Sequence, residues 1–162
     1  MEKKGILFTP IGIIETPFTD LSGMPIQPSA AEGVRGKVIL NTALQEGLQD
    51  LEGFSHLILI YYFHQAGDPE LLVKPFLDDN IHGVFATRAP RRPNGIGFSI
   101  VKLLEIQQNI LYIANVDILN GTPLLDIKPY IPYFDNPDAD RMGWVEKYAG
   151  EIGGKLSDDR FV

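Results

Sequence analysis

Short apolar runs, bounded by turn-forming residues, follow one another along most of the chain. Valine, isoleucine, leucine and aromatic residues dominate these runs, while 16 glycines and 12 prolines are spread between them. Such runs are typical of short β-strands that turn sharply into the next strand. The pattern predicts at least six strands, at residues 6–15, 33–40, 56–63, 83–87, 96–106 and 110–119.

One helix interrupts this series of strands. Asn41 or Thr42 provides a polar N-cap, and Gly53 ends the segment. The leucines between them recur at helical spacing, at Leu44, Leu48 and Leu51. A second helix is predicted at residues 141–148. So few helices do not support repeated βαβ units. We therefore predict a mainly β fold, a small single-domain barrel of mostly antiparallel strands with one or two short helices.

Composition narrows the class of protein. The chain has 162 residues, of which 44% are apolar, and so it can bury one sizeable core. Cysteine is absent, which excludes disulfides, thiolate metal sites and a cysteine nucleophile. The three histidines do not have metal-ligand spacing, and no metal is expected. The sequence has neither a signal-peptide pattern nor an apolar run of ~20 residues, so we expect a cytoplasmic protein that does not enter membranes.

The net charge of the chain limits the kinds of ligand that it can bind. Lysine and arginine total 14 against 21 acidic residues, a formal net charge of −7. Because non-specific nucleic-acid binding depends on clustered cations, this balance argues against it, and any anionic ligand needs a local basic patch.

Arg88, Arg91 and Arg92 form such a patch within five positions of the sequence. Neighbouring prolines stiffen this segment, and Gly95 and Gly97 would let backbone amides approach a ligand. Guanidinium groups bind carboxylate or phosphate in pairs of hydrogen bonds, so one interpretation is an anion-binding loop. The other is an exposed hairpin whose arginines pair with surface carboxylates.

A second polar segment surrounds the turn signal Asn120-Gly121. The Thr-Pro that follows the turn predicts an end to the hairpin ladder and a long, defined loop. Asp117, Asp126 and Lys128 are candidates there for acid, base or hydrogen-bonding roles. The simpler interpretation is a buried Asp126–Lys128 ion pair that orders the loop.

Among the histidines, His64 is the best candidate for a ligand contact, because His64-Gln65 lies at the end of a predicted strand. His56 is interpreted as a core or pocket-edge residue. The aromatic run at residues 61–63 is typical of core packing.

Four segments together resemble the TsaA-like, or TrmO, family. They are residues 53–56, 84–90, 92–99 and 121–130, and the similarity runs in order from Ile11 to Asp135. The resemblance implies a barrel domain at residues 1–137, with residues 138–162 as a helix and tail of the same domain. It also implies a homodimer. Two departures are Gly95, where the family usually has proline, and the lack of the additional C-terminal domain of bacterial members.

The resemblance further implies an S-adenosylmethionine-dependent methyltransferase that acts on N6 of threonylcarbamoyladenosine at position 37 of tRNA. By the family pattern, the cofactor is held by Pro25, Ile26, Gln27, His64, Gln65, Arg88, Phe98, Ile118, Leu119, Asn120 and Gly121. The proposed tRNA contacts are Arg91, Arg92, Asn94 and Lys128. The group that receives the N6 proton stays open among Asp117, Asp126 and Tyr130.

Three alternatives to this function remain. The methyl acceptor could be another RNA or a small molecule, since an acidic chain offers little surface for tRNA. The protein could instead be a non-catalytic module that binds S-adenosylmethionine or RNA. A purely structural interaction protein would leave the Arg-Pro-Asn and Gly-Thr-Pro segments unexplained.

Overall fold

The computed structural model of the protein describes residues 4–26, 31–149, 151 and 160. Its strands are β1 (Gly12–Glu15), β2 (Arg35–Leu40), β3 (His56–Tyr62), β4 (Leu72–Val73), β5 (His82–Gly83), β6 (Ile96–Gln107), β7 (Ile110–Ala114) and β8 (Thr122–Pro129). The α-helix α1 spans Pro132–Asp135. Short 3-10 helices cover Thr42–Leu48, Leu51–Gly53, Val84–Ala86 and Gly143–Tyr148.

Six of these strands close into an antiparallel barrel, as predicted. Their order is β1-β2-β7-β6-β3-β8, and β8 pairs back with β1. Alternate residues of each strand point inward, so that Leu57, Leu59 and Tyr61 of β3 meet Val101 of β6 and Leu111 of β7 in one core. Burial of this apolar face is the main stabilisation of the closed sheet.

Three predicted strands are partly wrong. The run at residues 110–119 forms strand β7 only as far as Ala114. The run at residues 6–15 forms a strand only from Gly12, and Ile6 and Leu7 before it are largely exposed. Residues 83–87 do not form a barrel strand: β5 pairs with β4 in a separate two-stranded sheet, and a 3-10 turn follows. An apolar run becomes a strand only where a partner strand lies beside it, which the run itself does not reveal.

The predicted long loop after Gly121 is also wrong, because this segment is strand β8. Gly121 makes the turn with a φ of 78°, which glycine adopts without strain. β8 then fills the gap between β1 and β3. Pro123 lies before Leu124, where the pairing of β8 with β3 begins, so the backbone donor that proline lacks is lost from the end of this ladder and not from its middle.

The helix predicted after β2 exists, but as two 3-10 helices. The Asn41 side chain accepts a hydrogen bond from the Ala43 amide at 3.1 Å, which confirms the predicted cap. Asp50, with a φ of 67°, separates the two helices. Leu48 is the buried residue of the first one, so little packing stabilises a longer α-helix.

The second predicted helix is likewise a 3-10 helix, Gly143–Tyr148. It packs against the small β4–β5 sheet: the Trp144 indole donates to the Ala86 carbonyl at 2.8 Å and stacks on His82 with ring centroids 4.4 Å apart. The division at residues 137 and 138 stays a prediction.

The antiparallel topology gathers distant segments at one end of the barrel. Strands β1, β3 and β7 end there, and β2, β6 and β8 begin there. The connecting residues 16–26 and 31–34, 63–95, and 115–121 therefore meet over the same opening.

Candidate functional site

A cavity of about 260 Å³ occupies this end of the barrel. It is built by the loop before β2, the end of β3, the start of β6 and the segment after β7. Its lining residues are Leu21, Met24, Pro25, Ile26, Tyr61, Phe63, His64, Gln65, Ala66, Phe76, Arg88, Pro90, Arg92, Ile96, Gly97, Phe98, Asp117, Ile118, Leu119 and Thr122. Mostly apolar walls with a few polar groups are typical of small-molecule sites.

Eight residues expected to hold the cofactor lie around this cavity: Pro25, Ile26, His64, Gln65, Arg88, Phe98, Ile118 and Leu119. The structure thus brings together residues that are up to 94 positions apart, from Pro25 to Leu119. Gln27 lies outside the described residues.

Asn120 and Gly121 do not line the cavity but support its wall. The Asn120 side-chain oxygen accepts a hydrogen bond from the Thr16 amide at 3.0 Å. The Gly121 amide donates to the Ile14 carbonyl at 2.8 Å. These bonds fasten the segment after β7 to the segment after β1, which fixes the position of Ile118 and Leu119.

The three arginines have different surroundings. Arg88 faces the cavity with its guanidinium 4.9 Å from the centroid of the Phe98 ring. Arg92 donates to the carbonyls of Val84, Thr87 and Ala89 at 3.2, 2.9 and 3.2 Å, and so holds its own loop together.

Arg91 pairs with Glu70 at 2.6 Å, which is the surface pairing that the hairpin interpretation expects. The anion-binding interpretation therefore suits Arg88 best.

The remaining polar candidates lie away from the cavity. Lys128 and Asp126 form an ion pair at 2.7 Å on the outer face of β8. The expectation that this pair is buried is wrong, because the two side chains are 58% and 46% exposed. Tyr130 packs edge-on against His56 at the opposite end of the barrel, with ring centroids 6.3 Å apart. Asn94 makes a turn in which its carbonyl accepts the Ile96 amide at 2.7 Å.

Asp117 is the carboxylate among the described residues that line the cavity. The Ser99 hydroxyl donates to Asp117 Oδ1 at 2.6 Å, and Tyr61 lies behind it with its hydroxyl 2.9 Å from Ser99 Oγ. Because the single Ser99 proton is directed at Asp117, the Tyr61 hydroxyl must donate to Ser99. A hydroxyl chain from Tyr61 through Ser99 to Asp117 therefore closes the floor of the cavity.

Burial perturbs the ionisation of these groups. It raises the pKa of Asp117 to about 6, although the Ser99 hydrogen bond and the Arg88 charge act in the opposite direction. Burial, with the Asp117 charge adding to it, also raises the pKa of Tyr61 far above its usual value, so this phenol stays protonated. Partial burial lowers the pKa of His64.

Gly97 leaves room for aromatic rings, which differs from the expected close approach of a ligand to the backbone. A Cβ at this position would lie 2.7 Å from Phe63 Cζ and 2.8 Å from Tyr61 Cζ. Both rings line the cavity, and they pack edge to face with centroids 5.6 Å apart.

Sequence reasoning missed Tyr61, Phe63, Phe76 and Ser99 as site residues. Ser99 carries a signal that could have been found: it is a hydroxyl residue at an inward position of β6, in phase with Gly97 and Val101. A polar side chain at an inward, otherwise apolar position of a strand needs a hydrogen-bond partner, which here is Asp117. Phe76 reaches the cavity from the β4–β5 region, which no pattern in its own segment indicates.

The described residues contain neither a membrane-spanning helix nor a cluster that could hold a metal ion. None of the described helices has the length and apolar character needed to cross a bilayer. No group of three or more histidine, cysteine or acidic side chains is placed to hold a metal ion in the described part of the chain.

Known proteins with similar sequences and structures point to one family. A family model described as the tRNA-methyltransferase O N-terminal domain matches residues 13–136. A Pyrococcus abyssi protein named "Probable S-adenosyl-L-methionine-binding protein" is 53% identical over 156 residues, which are 96% of this chain and 85% of that protein. The Homo sapiens tRNA (adenine(37)-N6)-methyltransferase is 37% identical over 145 residues, covering 85% of this chain and 33% of that protein.

A solved structure agrees. The crystal structure of a protein named TrmO superposes with a TM-score of 0.76 at 39% sequence identity, covering 86% of this chain and 64% of the other. The present chain thus spans most of the archaeal relative, but only about a third of the human one.

Proposed function

Because the chain belongs to the tRNA-methyltransferase O N-terminal domain family, we propose that it binds S-adenosylmethionine in the barrel-end cavity and methylates N6 of adenosine 37 in tRNA. We propose threonylcarbamoyladenosine as the modified form of that nucleoside. The observation that carries the proposal is one cavity in which eight of the expected cofactor residues meet.

The residues present fit this cofactor. Arg88 is a cation at the cavity wall, suited to a carboxylate through charge-assisted hydrogen bonds. Ile118, Leu119 and Phe98 offer apolar surface to the adenine ring. The bound cofactor supplies an electrophilic methyl group on its sulfonium. The task of the protein is to hold the acceptor nitrogen in line with that methyl group, and such positioning can account for much of the rate.

We propose tRNA as the partner in spite of the net charge of −7. Arg91 forms an ion pair with Glu70, and Lys128 forms one with Asp126; a tRNA phosphate could replace these carboxylates. Arg92 and Asn94 would contribute by keeping the Arg-Pro-Asn loop in shape. Such a substrate also supports the cytoplasm as the place of action.

We propose that the protein is a homodimer whose interface is the outer face of β3 and β6. Three cross-strand pairs of large side chains point outward there: Ile58 with Ile100, Ile60 with Phe98, and Tyr62 with Ile96. Tyr62, Ile96 and Phe98 are 49%, 42% and 45% exposed. A contiguous apolar patch of this kind marks an interaction surface. Phe98 belongs both to this face and to the cavity, so a second copy would also shelter the site.

The test is methyl transfer from labelled cofactor to total tRNA from cells that lack this protein, followed by nucleoside analysis. Label in N6-methylated threonylcarbamoyladenosine is the expected result. Label in another nucleoside would show that the methyl acceptor is a different one from threonylcarbamoyladenosine. Label in no nucleoside would contradict the proposal that this protein methylates tRNA.

A non-catalytic S-adenosylmethionine-binding module is the second candidate, and the name of the Pyrococcus abyssi relative favours it. Calorimetry distinguishes it from the enzyme: cofactor binding without methyl transfer to any tRNA would identify the binding module. Absence of both would remove the cofactor proposal as well.

A further inference from the structure

We propose that Asp117 is the group that accepts the proton from adenine N6, and that Ser99 and Tyr61 are positioning residues that orient its carboxylate. This inference rests on the proposed function. It chooses one of the three proton acceptors that the sequence left open.

The positions of the three candidate proton acceptors favour Asp117. Asp117 lines the cavity, whereas Asp126 points outward from β8 and Tyr130 lies at the other end of the barrel. A proton acceptor must come within hydrogen-bond reach of the reacting nitrogen, directly or through one water. Asp126 and Tyr130 cannot meet this condition for a base bound in the cavity.

The hydroxyl chain prepares Asp117 for this role. Ser99 occupies Oδ1 at 2.6 Å, and Tyr61 fixes the Ser99 hydroxyl at 2.9 Å. One carboxylate oxygen is thereby held in place while the carboxylate still faces the cavity. Side chains of β3 and β6 thus orient the carboxylate of Asp117, which lies in the segment after β7.

Among the described residues, the charged and titratable groups that share the cavity with Asp117 are Tyr61 from β3, His64 after β3, and Arg88 and Arg92 from the loop before β6. Arg88 favours the ionised carboxylate, and burial opposes it. His64 is the rival base in the same cavity.

The proposed step balances as follows. N6 forms a bond to the methyl carbon as the bond between that carbon and sulfur breaks, and the sulfur keeps the bonding electrons. The nitrogen becomes positively charged and releases its proton to Asp117, which becomes neutral. The protonated carboxyl then returns its proton to water at the open mouth of the cavity.

The experiment compares Asp117→Asn, Ser99→Ala and Tyr61→Phe with the wild-type protein. Single-turnover methylation is measured at saturating cofactor and tRNA between pH 5 and 9, and cofactor affinity is measured separately by calorimetry. Asp140→Asn is the matched control, because it makes the same chemical change on an exposed side chain outside the cavity.

We expect Asp117→Asn to lower the single-turnover rate at least roughly 100-fold, the usual size of a lost acid–base contribution, with cofactor affinity unchanged within about threefold. Ser99→Ala removes a hydrogen bond that favours the ionised carboxylate, so the acidic limb of its rate profile should move to higher pH. Tyr61→Phe should move the limb in the same direction by less. Asp140→Asn should retain both rate and profile.

Three results would overturn the assignment while leaving the proposed function intact. The first is a wild-type rate in Asp117→Asn, and the second is an acidic limb that stays in place in Ser99→Ala. The third is a loss of cofactor affinity of about tenfold or more in Asp117→Asn, which would make Asp117 a cofactor ligand. A wild-type protein that binds cofactor but methylates no tRNA would instead overturn the proposed function, and this inference with it.

Discussion

Gly97 offers the sharpest test of how the barrel wall shapes the cavity. It lies opposite Tyr61 in the β3–β6 pairing. In Gly97→Ala, the new Cβ would lie 2.7 Å from Phe63 Cζ and 2.8 Å from Tyr61 Cζ, closer than side-chain carbons pack. Because these two rings pack against each other, neither can move away without moving the other.

The expected cost follows from two terms. Overpacking costs about 1–3 kcal/mol, and a lost Tyr61–Ser99 hydrogen bond adds about 0.5–1.5 kcal/mol. At roughly 2–4 °C per kcal/mol for a domain of this size, a loss of about 3 kcal/mol lowers Tm by roughly 6–12 °C. Since both rings line the cavity, we also expect affinity for S-adenosylmethionine to fall at least about tenfold, or ~1.4 kcal/mol.

Gly47→Ala is the matched control. No atom lies within 4 Å of its added Cβ, and its φ is not positive. Its stability should be unchanged or higher by about 0.4–1 kcal/mol, because alanine restricts the unfolded chain. The assays are thermal unfolding by circular dichroism and calorimetric titration with cofactor. A Gly97→Ala protein that melts and binds cofactor like wild type would refute the claim that the rings require glycine here.

Further predictions concern charged residues. Arg88→Ala should weaken cofactor binding by roughly 1.5–3 kcal/mol in calorimetry. Arg91→Ala should leave cofactor affinity unchanged and instead reduce the salt dependence of tRNA binding by about one unit of slope. An equal loss of cofactor affinity in both variants would contradict this division of roles. The pKa of Asp117 is about 6 in the folded protein against 3.8 in the unfolded chain, so its ionisation costs stability above pH 6 and not below 3.8. Asp117→Asn should therefore melt higher than wild type at pH 8, by a margin that shrinks toward pH 4; a constant margin would count against this. His82 and Lys147, at 2.9 and 3.4 Å, hold the pKa of Asp78 well below its usual 3.8, so their contribution to stability is present above that pH and lost as the pH falls below it. Asp78→Asn should lower Tm at pH 7, and the difference should begin to narrow only below pH 3.8; melts from pH 7 to 2 would show whether it does.

The sequence by itself determined the fold class and predicted many of the residues that line the cavity. Alternation along β3, β6 and β7 follows from local pattern, because every second side chain of a strand faces the same side. The Asn41 cap and the Asn120-Gly121 turn are also local, since a few neighbouring atoms decide them. The motifs of the resemblance located Arg88, His64 and Ile118 at what proved to be one cavity.

Only the tertiary structure decided the rest. β8 begins with a Thr-Pro that locally signals an end to pairing, yet the gap between β1 and β3 supplies partners for its backbone. Residues 83–87 look like a strand, but no barrel strand lies beside them. The roles of Asp117 and Asp126 could not be separated from sequence, because both are carboxylates near one turn. Closure of the barrel directs the first toward Ser99 and the cavity and the second toward solvent, since side-chain direction depends on register with strands far away in the chain.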